Sequence, residues 1–281
     1  MIIDGKKIAE ELRENIKKKV AELKSTYNAV PGLTVILVGE DPPSKIYVKN
    51  KEKFAKEVGM NSEVIRYPEN VEEKVLLNKV KELNGDNKVS GILVQLPLPK
   101  HIDKRKVIET ILSSKDVDGF HPANVGNLSS GYDSSIPCTP LGCYLLLKKV
   151  EKNLSGKHAV VIGRSNLNGK PMTQLLLKEN CTVTITHSKT KDLKAECNRA
   201  DIIVAAVGRP KLVKGDWVKK GAIVIDVGIN KTDSGLVGDV DFDEVSKVAK
   251  AITPVPGGVG PMTIACLLSN TVECFMKAHY K

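Results

Sequence analysis

The sequence predicts an α/β protein built from two domains. Short apolar runs rich in β-branched residues alternate with segments whose apolar residues recur every three or four positions, the pattern of strands joined by helices. The chain has 281 residues, more than one domain usually contains. The segment Lys157–Met172 reads as a strand, a glycine turn and the start of a helix, which is typical of parallel α/β sheets.

Periodicity predicts the elements of the N-terminal half. Ile8, Leu12, Ile16 and Val20 recur at helical spacing, and Ser44 is expected to cap a later helix. The predicted elements are a helix over Lys6–Lys24, a strand over Leu33–Val38, a helix over Ser44–Val58, a weak strand over Glu63–Arg66, a helix from Val71 to Gly85, a strand over Ile92–Val94 and a helix over Ile102–Leu112.

A stretch rich in Gly, Ser, Asn and Pro separates the two halves. Residues 123–140 show no periodicity and are predicted to be the junction between a domain of residues 1–122 and one of residues 141–263. The C-terminal segment 264–281 is expected to pack back on the first domain. The predicted elements are helices over Leu141–Val150, Phe242–Ala249 and Ile264–Met276, a helix after Gly169, and strands over His158–Ile162, Thr182–Thr186, Ile202–Ala206 and Ala222–Val227.

Composition and charge narrow the class of protein. The net charge is +10, but the lysines alternate with glutamates along helices, as in Lys49–Lys56, which favours solvated faces over a nucleic-acid surface. An aromatic content of 4% also argues against base stacking. The charged N-terminus does not fit a signal peptide, and no apolar run approaches the roughly 20 residues of a membrane span. Six scattered cysteines suit a reducing compartment better than disulfides or zinc. We therefore expect a cytoplasmic protein without nucleic-acid, membrane or metal partners.

The turn after the strand His158–Ile162 is the first candidate site. Gly163 and Gly169 enclose a loop of the form Gly-x-Ser-x-x-x-Gly, longer than the usual G-x-G-x-x-G, and Pro171 suits the first turn of a helix. Small residues let a pyrophosphate approach the backbone, where helix N–H groups can hold it. The alternative is an ordinary strand-to-helix turn.

Residues near this loop favour NADP over NAD. The second strand ends at Thr186–Thr190 without the carboxylate that usually binds the ribose 2′-OH of NAD. Arg164 and Ser165, together with His187 or Lys189, suit a 2′-phosphate instead. The alternative is that Arg164 is simply a surface arginine.

The second candidate site lies in the N-terminal half. Tyr47 and Lys51 are one helical turn apart and share a face, where a partly desolvated lysine could act as an acid or base. Gln95 follows a buried strand, and its neutral amide could orient that lysine without locking it in the charged form. Asp118 could accept two parallel hydrogen bonds from a heterocycle, or simply make a turn before Gly119. The alternative for Tyr47 and Lys51 is a solvated, lysine-rich helix.

The motifs together resemble the bifunctional methylenetetrahydrofolate dehydrogenase/methenyltetrahydrofolate cyclohydrolase family, the FolD type. The resemblance runs along essentially the whole chain. The motifs that carry it are, in order, YVKNK after GEDPPS, GILVQLPLP, KDVDGFHP, GRSNLNGKPM, AVGRP, GAIVIDVGIN, GDVDF and TPVPGGVGPMT.

This resemblance implies a two-domain enzyme, an N-terminal catalytic domain and a C-terminal Rossmann-type domain, with folate in a cleft between them. It implies oxidation of 5,10-methylenetetrahydrofolate with NADP⁺ and hydrolysis of the 5,10-methenyl product to 10-formyltetrahydrofolate. It also implies a homodimer that acts on tetrahydrofolate derivatives, including polyglutamylated ones.

The resemblance also assigns roles to individual residues. Lys51 becomes the acid or base of hydrolysis, Gln95 tunes it, Tyr47 packs near the folate ring and Asp118 holds the pterin edge. The implied folate-cleft residues are Pro256, Gly257 and Gly258, and the implied cofactor residues are Gly163, Arg164, Ser165, Ser188, Gly208, Ile229 and Thr263.

One departure from the family pattern concerns the glycine loop. The family usually has Ile-Val before the second glycine, where this chain has Leu167 and Asn168. An asparagine tolerates positive φ, so we expect the loop to keep its conformation.

Three alternative functions stay open: a relative with only one of the two activities, a relative that uses NAD, and a non-catalytic protein that binds nucleotides or nucleic acid. Shikimate-type dehydrogenases share the cofactor domain but do not explain Lys51, Gln95 and the GGVGP loop together.

Overall fold

The computed structural model describes residues 1–233 and 235–279. The chain forms two compact units. The three-stranded unit contains residues 11–136 and the chain from Ile264 on, and the five-stranded unit contains residues 1–10 and 137–263. Of the predicted closing segment 264–281, Tyr280 and Lys281 lie outside the described residues.

This division differs from the predicted one at two places. Residues 1–10 belong to the five-stranded unit because Ile3 N donates to Ile252 O at 2.9 Å and Ile252 N donates to Met1 O at 3.0 Å. Residues 123–136, predicted as a junction, belong to the three-stranded unit and contain a helix.

The three-stranded unit is built on a parallel sheet with the strand order β2-β1-β3. The central β1 is buried along its whole length, and Ile36 within it pairs with Ile65 and Val94. Apolar residues of the helices Glu73–Gly85 and Lys104–Thr110 pack against this sheet in a hydrophobic core. The elements are α1 (Gly5–Tyr27, its first residues in the other unit), β1 (Gly32–Val38), α2 (Pro42–Glu57), β2 (Asn61–Tyr67), α3 (Glu73–Gly85), β3 (Gly91–Val94), α4 (Lys104–Thr110) and α5 (Pro122–Ser129).

Two local predictions in this unit are wrong. The N-cap of α2 is Asp41, not Ser44, and its carboxylate accepts from Ser44 N at 3.0 Å. Pro42 and Pro43 fit the first helical turn, so the helix begins two residues earlier in the chain than predicted. The helix α5 lies in the stretch predicted to be irregular. Its cap is His121, whose Nδ1 accepts from Ala123 N at 3.1 Å.

The five-stranded unit has a parallel sheet with the strand order β10-β7-β6-β4-β5. The order reverses between β4 and β6, and ligands of open α/β sheets bind at the carboxyl ends of strands beside such a reversal. The sequence did not predict α8, the β8–β9 hairpin or β10. The elements are α6 (Cys138–Val150), β4 (His158–Ile162), α7 (Gly169–Lys178), β5 (Thr182–Thr186), α8 (Leu193–Asn198), β6 (Ile202–Ala205), a 3-10 turn (Gly215–Trp217), β7 (Ile223–Asp226), β8 (Asn230–Thr232), β9 (Gly235–Val237), α9 (Phe242–Val245), β10 (Ala251–Ile252) and the first residues of α10 (Val259–His279, which from Ile264 on belongs to the other unit).

The closing helix α10 is long and apolar enough to cross a membrane, judged by length and composition alone. The prediction that no apolar run approaches the roughly 20 residues of a membrane span is therefore wrong for this helix. In the structure, 67% of its most apolar window is buried inside the protein. A core helix passes the same test, so this hydropathy is weak evidence for a membrane segment.

Candidate functional site

The helix α2 carries the lysine of the N-terminal candidate site. Lys51 is only 8% exposed, which is unusual for a lysine. Tyr47 lies one turn earlier on the same helix and is half-buried, and this burial raises the pKa of its hydroxyl. The two side chains therefore form a partly desolvated face, not the fully solvated helix of the alternative interpretation.

Gln95 holds Lys51 through a neutral oxygen. Gln95 follows β3, where its backbone N–H continues the sheet by donating to Ile36 O at 2.8 Å. Its Nε2 donates to Leu96 O at 2.7 Å, which fixes the orientation of the amide. Its Oε1 accepts from Lys51 Nζ at 2.9 Å. An amide oxygen orients the amine without the full negative charge that would favour the ammonium form.

The two carboxylates of the KDVDGFHP turn have different surroundings. Asp116 is 2% exposed and accepts from Gly119 N at 3.0 Å, His121 N at 2.8 Å and Asn124 Nδ2 at 2.9 Å. Asp118 is half-buried, and both carboxylates border a small, mainly apolar cavity beside the end of β3. Asp116 thus shapes the turn, and Asp118 is the less buried of the two carboxylates. The sequence signal for Asp116 was the glycine three residues later, since Asp side chains often close such turns.

The two glycines of the β4–α7 loop are required by close backbone approaches. Gly163 has φ +114°, and a Cβ there would lie 2.3 Å from Ala206 O. A Cβ on Gly169 would lie 1.9 Å from Gly163 O. Any larger residue at either position would push the loop away from the sheet, so the loop has the tight backbone path that phosphate-binding turns need.

The polar groups around this loop fit NADP. Gly163 N donates to Thr186 O at 3.0 Å, which joins the loop to the end of β5. Arg164 and Ser165 are exposed in the loop, and Ser188 is exposed just after β5. A guanidinium with hydroxyls suits a 2′-phosphate, and His187–Thr190, directly after β5, include no carboxylate for a ribose hydroxyl.

Asn168, the departure from the family loop, does not use the positive φ that an asparagine tolerates. Its φ is −129°, and its backbone N–H donates to Ser165 Oγ at 3.1 Å. It is the cap residue of α7, although its side chain makes no capping hydrogen bond. The loop is closed by the hydroxyl of Ser165 instead.

The glycine-rich loop before α10 is tied to the first residues of the chain. Gly257 has φ +107°, and its carbonyl accepts from Lys6 N at 3.1 Å. A Cβ on Gly258 would lie 2.6 Å from Pro254 O. Thr263, on the first turns of α10, forms a hydroxyl–hydroxyl hydrogen bond of 3.1 Å with Thr139. These contacts fix the segment that also contains Pro256.

The predicted residues are divided between the two units. Tyr47, Lys51, Gln95 and Asp118 lie in the three-stranded unit, whereas the predicted cofactor residues and Pro256–Gly258 lie in the five-stranded unit. Gly208 and Ile229 follow β6 and β7 at the carboxyl edge of the five-stranded sheet, and Ile229 is 50% exposed. The buried Asp226 and Asp239 at this edge were not predicted.

Fold and site together define an α/β enzyme with an NADP-type dinucleotide-binding domain and a second unit that holds a buried lysine. The chain belongs to the tetrahydrofolate dehydrogenase/cyclohydrolase family. The family model of the catalytic domain matches residues 3–118, and that of the NAD(P)-binding domain matches residues 137–279.

Individual members of this family are similar to the chain over essentially its whole length. The chain is 77% identical over 278 residues to "Bifunctional protein FolD" of Pelagibacter ubique (strain HTCC1062), covering 99% of each. It is similar to the crystal structure of the bifunctional FolD enzyme from Campylobacter jejuni, with a TM-score of 0.97, 51% identity and 99% of each chain covered. It is also similar to FolD of Trypanosoma brucei complexed with NADP cofactor and inhibitor, with a TM-score of 0.95, 39% identity and 100% and 99% covered.

Proposed function

We propose that the protein is a bifunctional enzyme of one-carbon folate metabolism. It oxidises 5,10-methylenetetrahydrofolate to 5,10-methenyltetrahydrofolate with NADP⁺ and hydrolyses that product to 10-formyltetrahydrofolate. The observation that carries the proposal is a buried lysine held by an amide oxygen, in a chain that matches both family domains. NADP⁺, when bound, supplies the acceptor for the hydride.

The hydrolytic step follows from the chemistry of its substrate. The methenyl compound is an amidinium-like cation that water attacks readily, so the protein has to position it, exclude bulk water and accept a proton. We assign the proton transfer to Lys51, because Gln95 holds its amine at 2.9 Å without a full opposing charge. A neutral amine also avoids repulsion of the cationic substrate.

Folate binding is assigned first to side chains of the three-stranded unit. Asp118 lies in the turn that Asp116 organises and is the less buried of the two carboxylates, so we assign it to the adjacent N–H donors of a pterin ring. Tyr47 offers an apolar ring beside the lysine. In the five-stranded unit, the folate-binding segment implied by the sequence is Pro256–Gly258, whose backbone is fixed by the bond from Lys6 N to Gly257 O.

Cofactor binding is assigned to residues at the carboxyl edge of the five-stranded sheet. Gly163 allows the pyrophosphate to approach the backbone, and Arg164, Ser165 and Ser188 hold the 2′-phosphate. Gly208, Ile229 and Thr263 complete the set, with Ile229 and Thr263 near the nicotinamide. The neighbouring structure that contains NADP supports this choice of cofactor.

The setting of the enzyme is part of the same proposal. We place the protein in the cytoplasm as a homodimer that binds folates, including polyglutamylated ones, without nucleic-acid or membrane partners. Six buried cysteine thiols support a reducing compartment. The 10-formyl product carries a transferable formyl group, so we propose that it serves purine synthesis. We propose the biosynthesis of amino acids, methionine and histidine among them, as a further setting of the enzyme.

Two assays test the proposal. The purified protein, given methylenetetrahydrofolate and NADP⁺, should produce NADPH, and a lack of turnover with both NADP⁺ and NAD⁺ would reject the dehydrogenase activity. Lys51→Met should lower hydrolysis of methenyltetrahydrofolate by roughly 10²–10⁴, the usual contribution of a general acid or base, while folate binding persists. Lys49→Met, an exposed position on the same helix, is the matched control. Unchanged hydrolysis in Lys51→Met would remove Lys51 from its proposed role.

A further inference from the structure

Two buried aspartates connect the loops at the carboxyl edge of the five-stranded sheet. Asp226 is the last residue of β7 and is 3% exposed, and Asp239 follows β9 and is 0% exposed. Neither residue belongs to the predicted site, and neither has a role in the reaction as proposed above. Buried carboxylates are costly unless their oxygens are hydrogen-bonded, so their partners show what they do.

The carboxylate of Asp239 binds the loop after β6. It accepts from three consecutive backbone N–H groups, those of Val207 at 2.7 Å, Gly208 at 3.0 Å and Arg209 at 2.8 Å. It also accepts at 2.9 Å from Nδ2 of Asn230, the first residue of β8, which follows the loop after β7. Three successive N–H groups aimed at one anion form a nest, which fixes the backbone conformation of the loop.

The carboxylate of Asp226 in turn holds the segment of Asp239. It accepts from Gly228 N at 3.0 Å, Asp239 N at 2.9 Å and Val240 N at 2.9 Å. Each carboxylate packs against a glycine of the other segment and leaves no space for a side chain there. A Cβ on Gly238 would lie 1.8 Å from Asp226 Oδ2, and a Cβ on Gly228 would lie 2.3 Å from Asp239 Oδ1. The two aspartates therefore act as one unit.

The loop that Asp239 holds carries a predicted cofactor residue. Gly208 has φ +65°, and no atom lies within 4 Å of the position that a Cβ would occupy. Its N–H faces Asp239, so its bare Cα side borders open space that a ligand can enter. The loop after β7, which contains Ile229, is tied to the same carboxylate through Asn230.

We infer that Asp239, supported by Asp226, is a positioning residue for NADP⁺: it fixes the loops after β6 and β7 in the conformation that accepts the cofactor. This inference rests on the proposed function. Burial raises the pKa of Asp226 to about 7, against the effect of its three backbone donors, which shows how strongly the site excludes solvent. Because water cannot replace a lost hydrogen bond in such a site, losing one should change the conformation of the loop itself.

The test is Asp239→Asn, which keeps the size of the side chain but leaves one acceptor oxygen for four donors. We expect the KM for NADP⁺ and its calorimetric Kd to rise about tenfold to a hundredfold, as for one or two lost charge-assisted hydrogen bonds. Hydrolysis of methenyltetrahydrofolate needs no NADP⁺ and should change less than about twofold, which a general loss of structure would not permit.

The matched control is Asp201→Asn in the same unit. Asp201 accepts from His158 N at 3.0 Å and Lys219 Nζ at 2.6 Å, next to the amino-terminal ends of β4 and β6. It should leave the KM for NADP⁺ unchanged. Should Asp239→Asn fail to fold, the milder Asn230→Ala removes one donor at a half-buried position and should raise the KM for NADP⁺ by a smaller factor.

The outcomes separate this inference from the proposed function. An unchanged Kd for NADP⁺ in Asp239→Asn, or in Asn230→Ala where it is the variant that folds, would overturn the inference, as would equal losses of both activities. A wild-type protein that turns over no folate would overturn the proposed function. The calorimetric Kd for NADP⁺ still tests the positioning role in that case.

Discussion

Lys51 and Gln95 are 44 residues apart in the chain and come together because α2 and the end of β3 belong to the same unit. The amide is held from its other end by its bond to Leu96 O. Gln95 therefore cannot rotate freely, and the oxygen that faces Lys51 is a fixed one. The charge of the group at this position therefore affects how readily Lys51 can give up or accept a proton.

Replacing Gln95 by glutamate should show this effect of charge. A carboxylate at hydrogen-bond distance favours the ammonium form of the lysine by about 1–3 pKa units, so Gln95→Glu should lower the rate of hydrolysis roughly tenfold to a thousandfold at neutral pH. Initial rates with methenyltetrahydrofolate measure the change. Gln174→Glu, on α7 of the other unit, is the control and should keep the wild-type rate. A fully active Gln95→Glu would show that Lys51 works as a cation.

The buried aspartates mark the limit of prediction at this scale. The motifs around Asp116, Asp226 and Asp239 were recognised, but their roles were not. The donors to Asp239 lie up to 32 residues away, and Asp226 binds Asp239 N across 13 residues. A sequence shows that a carboxylate is present, but not which backbone N–H groups the fold will bring to it.

The glycine loop and α7 form the element on which the cofactor site depends. Gly169 is the first residue of α7 and lies against Gly163. This contact sets the path of the loop that carries Arg164 and Ser165. The strand–turn–helix prediction was confirmed here, with β4 as predicted and Pro171 in the first turn of α7.

Gly169→Ala should therefore weaken NADP⁺ binding. A methyl group 1.9 Å from Gly163 O forces the two backbones apart, so we expect the Kd for NADP⁺ to rise at least about tenfold and the thermal stability to fall. Gly126→Ala is the matched control, because this glycine lies in the helix α5 with no atom within 4 Å of its Cβ position. It should raise the free energy of unfolding by about 0.5–1 kcal/mol and leave the Kd unchanged. A Gly169→Ala protein with the wild-type Kd would contradict the tight-loop explanation.

Some elements were predictable and others were not, for physical reasons. The strands β4 and β5 were predicted with their observed bounds because β-branched residues fill them. The helix α5 was not predicted because its eight residues contain two asparagines, a glycine and a proline and have no long apolar stripe. The β8–β9 hairpin was not predicted because its strands are only three residues long and none of their residues is buried.

At the scale of the whole molecule, each unit is discontinuous in sequence. The first ten residues join a unit that otherwise spans 137–263, and the closing helix returns to the unit of residues 11–136. Domain boundaries predicted from composition assign continuous segments of the chain to each domain. It placed the closing segment with the N-terminal half, but it could not assign residues 1–10 to the sheet of β10, since that depends on backbone pairing with Ile252.

The six cysteines are distributed over both units and report on the integrity of the whole molecule. All are buried: Cys138, Cys143, Cys181 and Cys197 in the five-stranded unit, and Cys266 and Cys274 in the three-stranded unit. Burial raises the pKa of the Cys197 and Cys266 thiols to about 12 and that of Cys274 to about 11. Both the thiolate fraction and the access of a reagent are therefore low in the folded protein.

We expect thiol reagents to label the native protein at pH 8 at least about a hundredfold more slowly than the unfolded chain, because thiolate is the reacting species. Mass spectrometry of labelled peptides measures each cysteine separately, and the protein in denaturant is the control in which all six react. NADP⁺ binds only the folded five-stranded unit, so it should slow the labelling of the four cysteines there further. Rapid native labelling of Cys197 or Cys266 would contradict the packing, and labelling that NADP⁺ leaves unchanged would contradict cofactor binding in this unit.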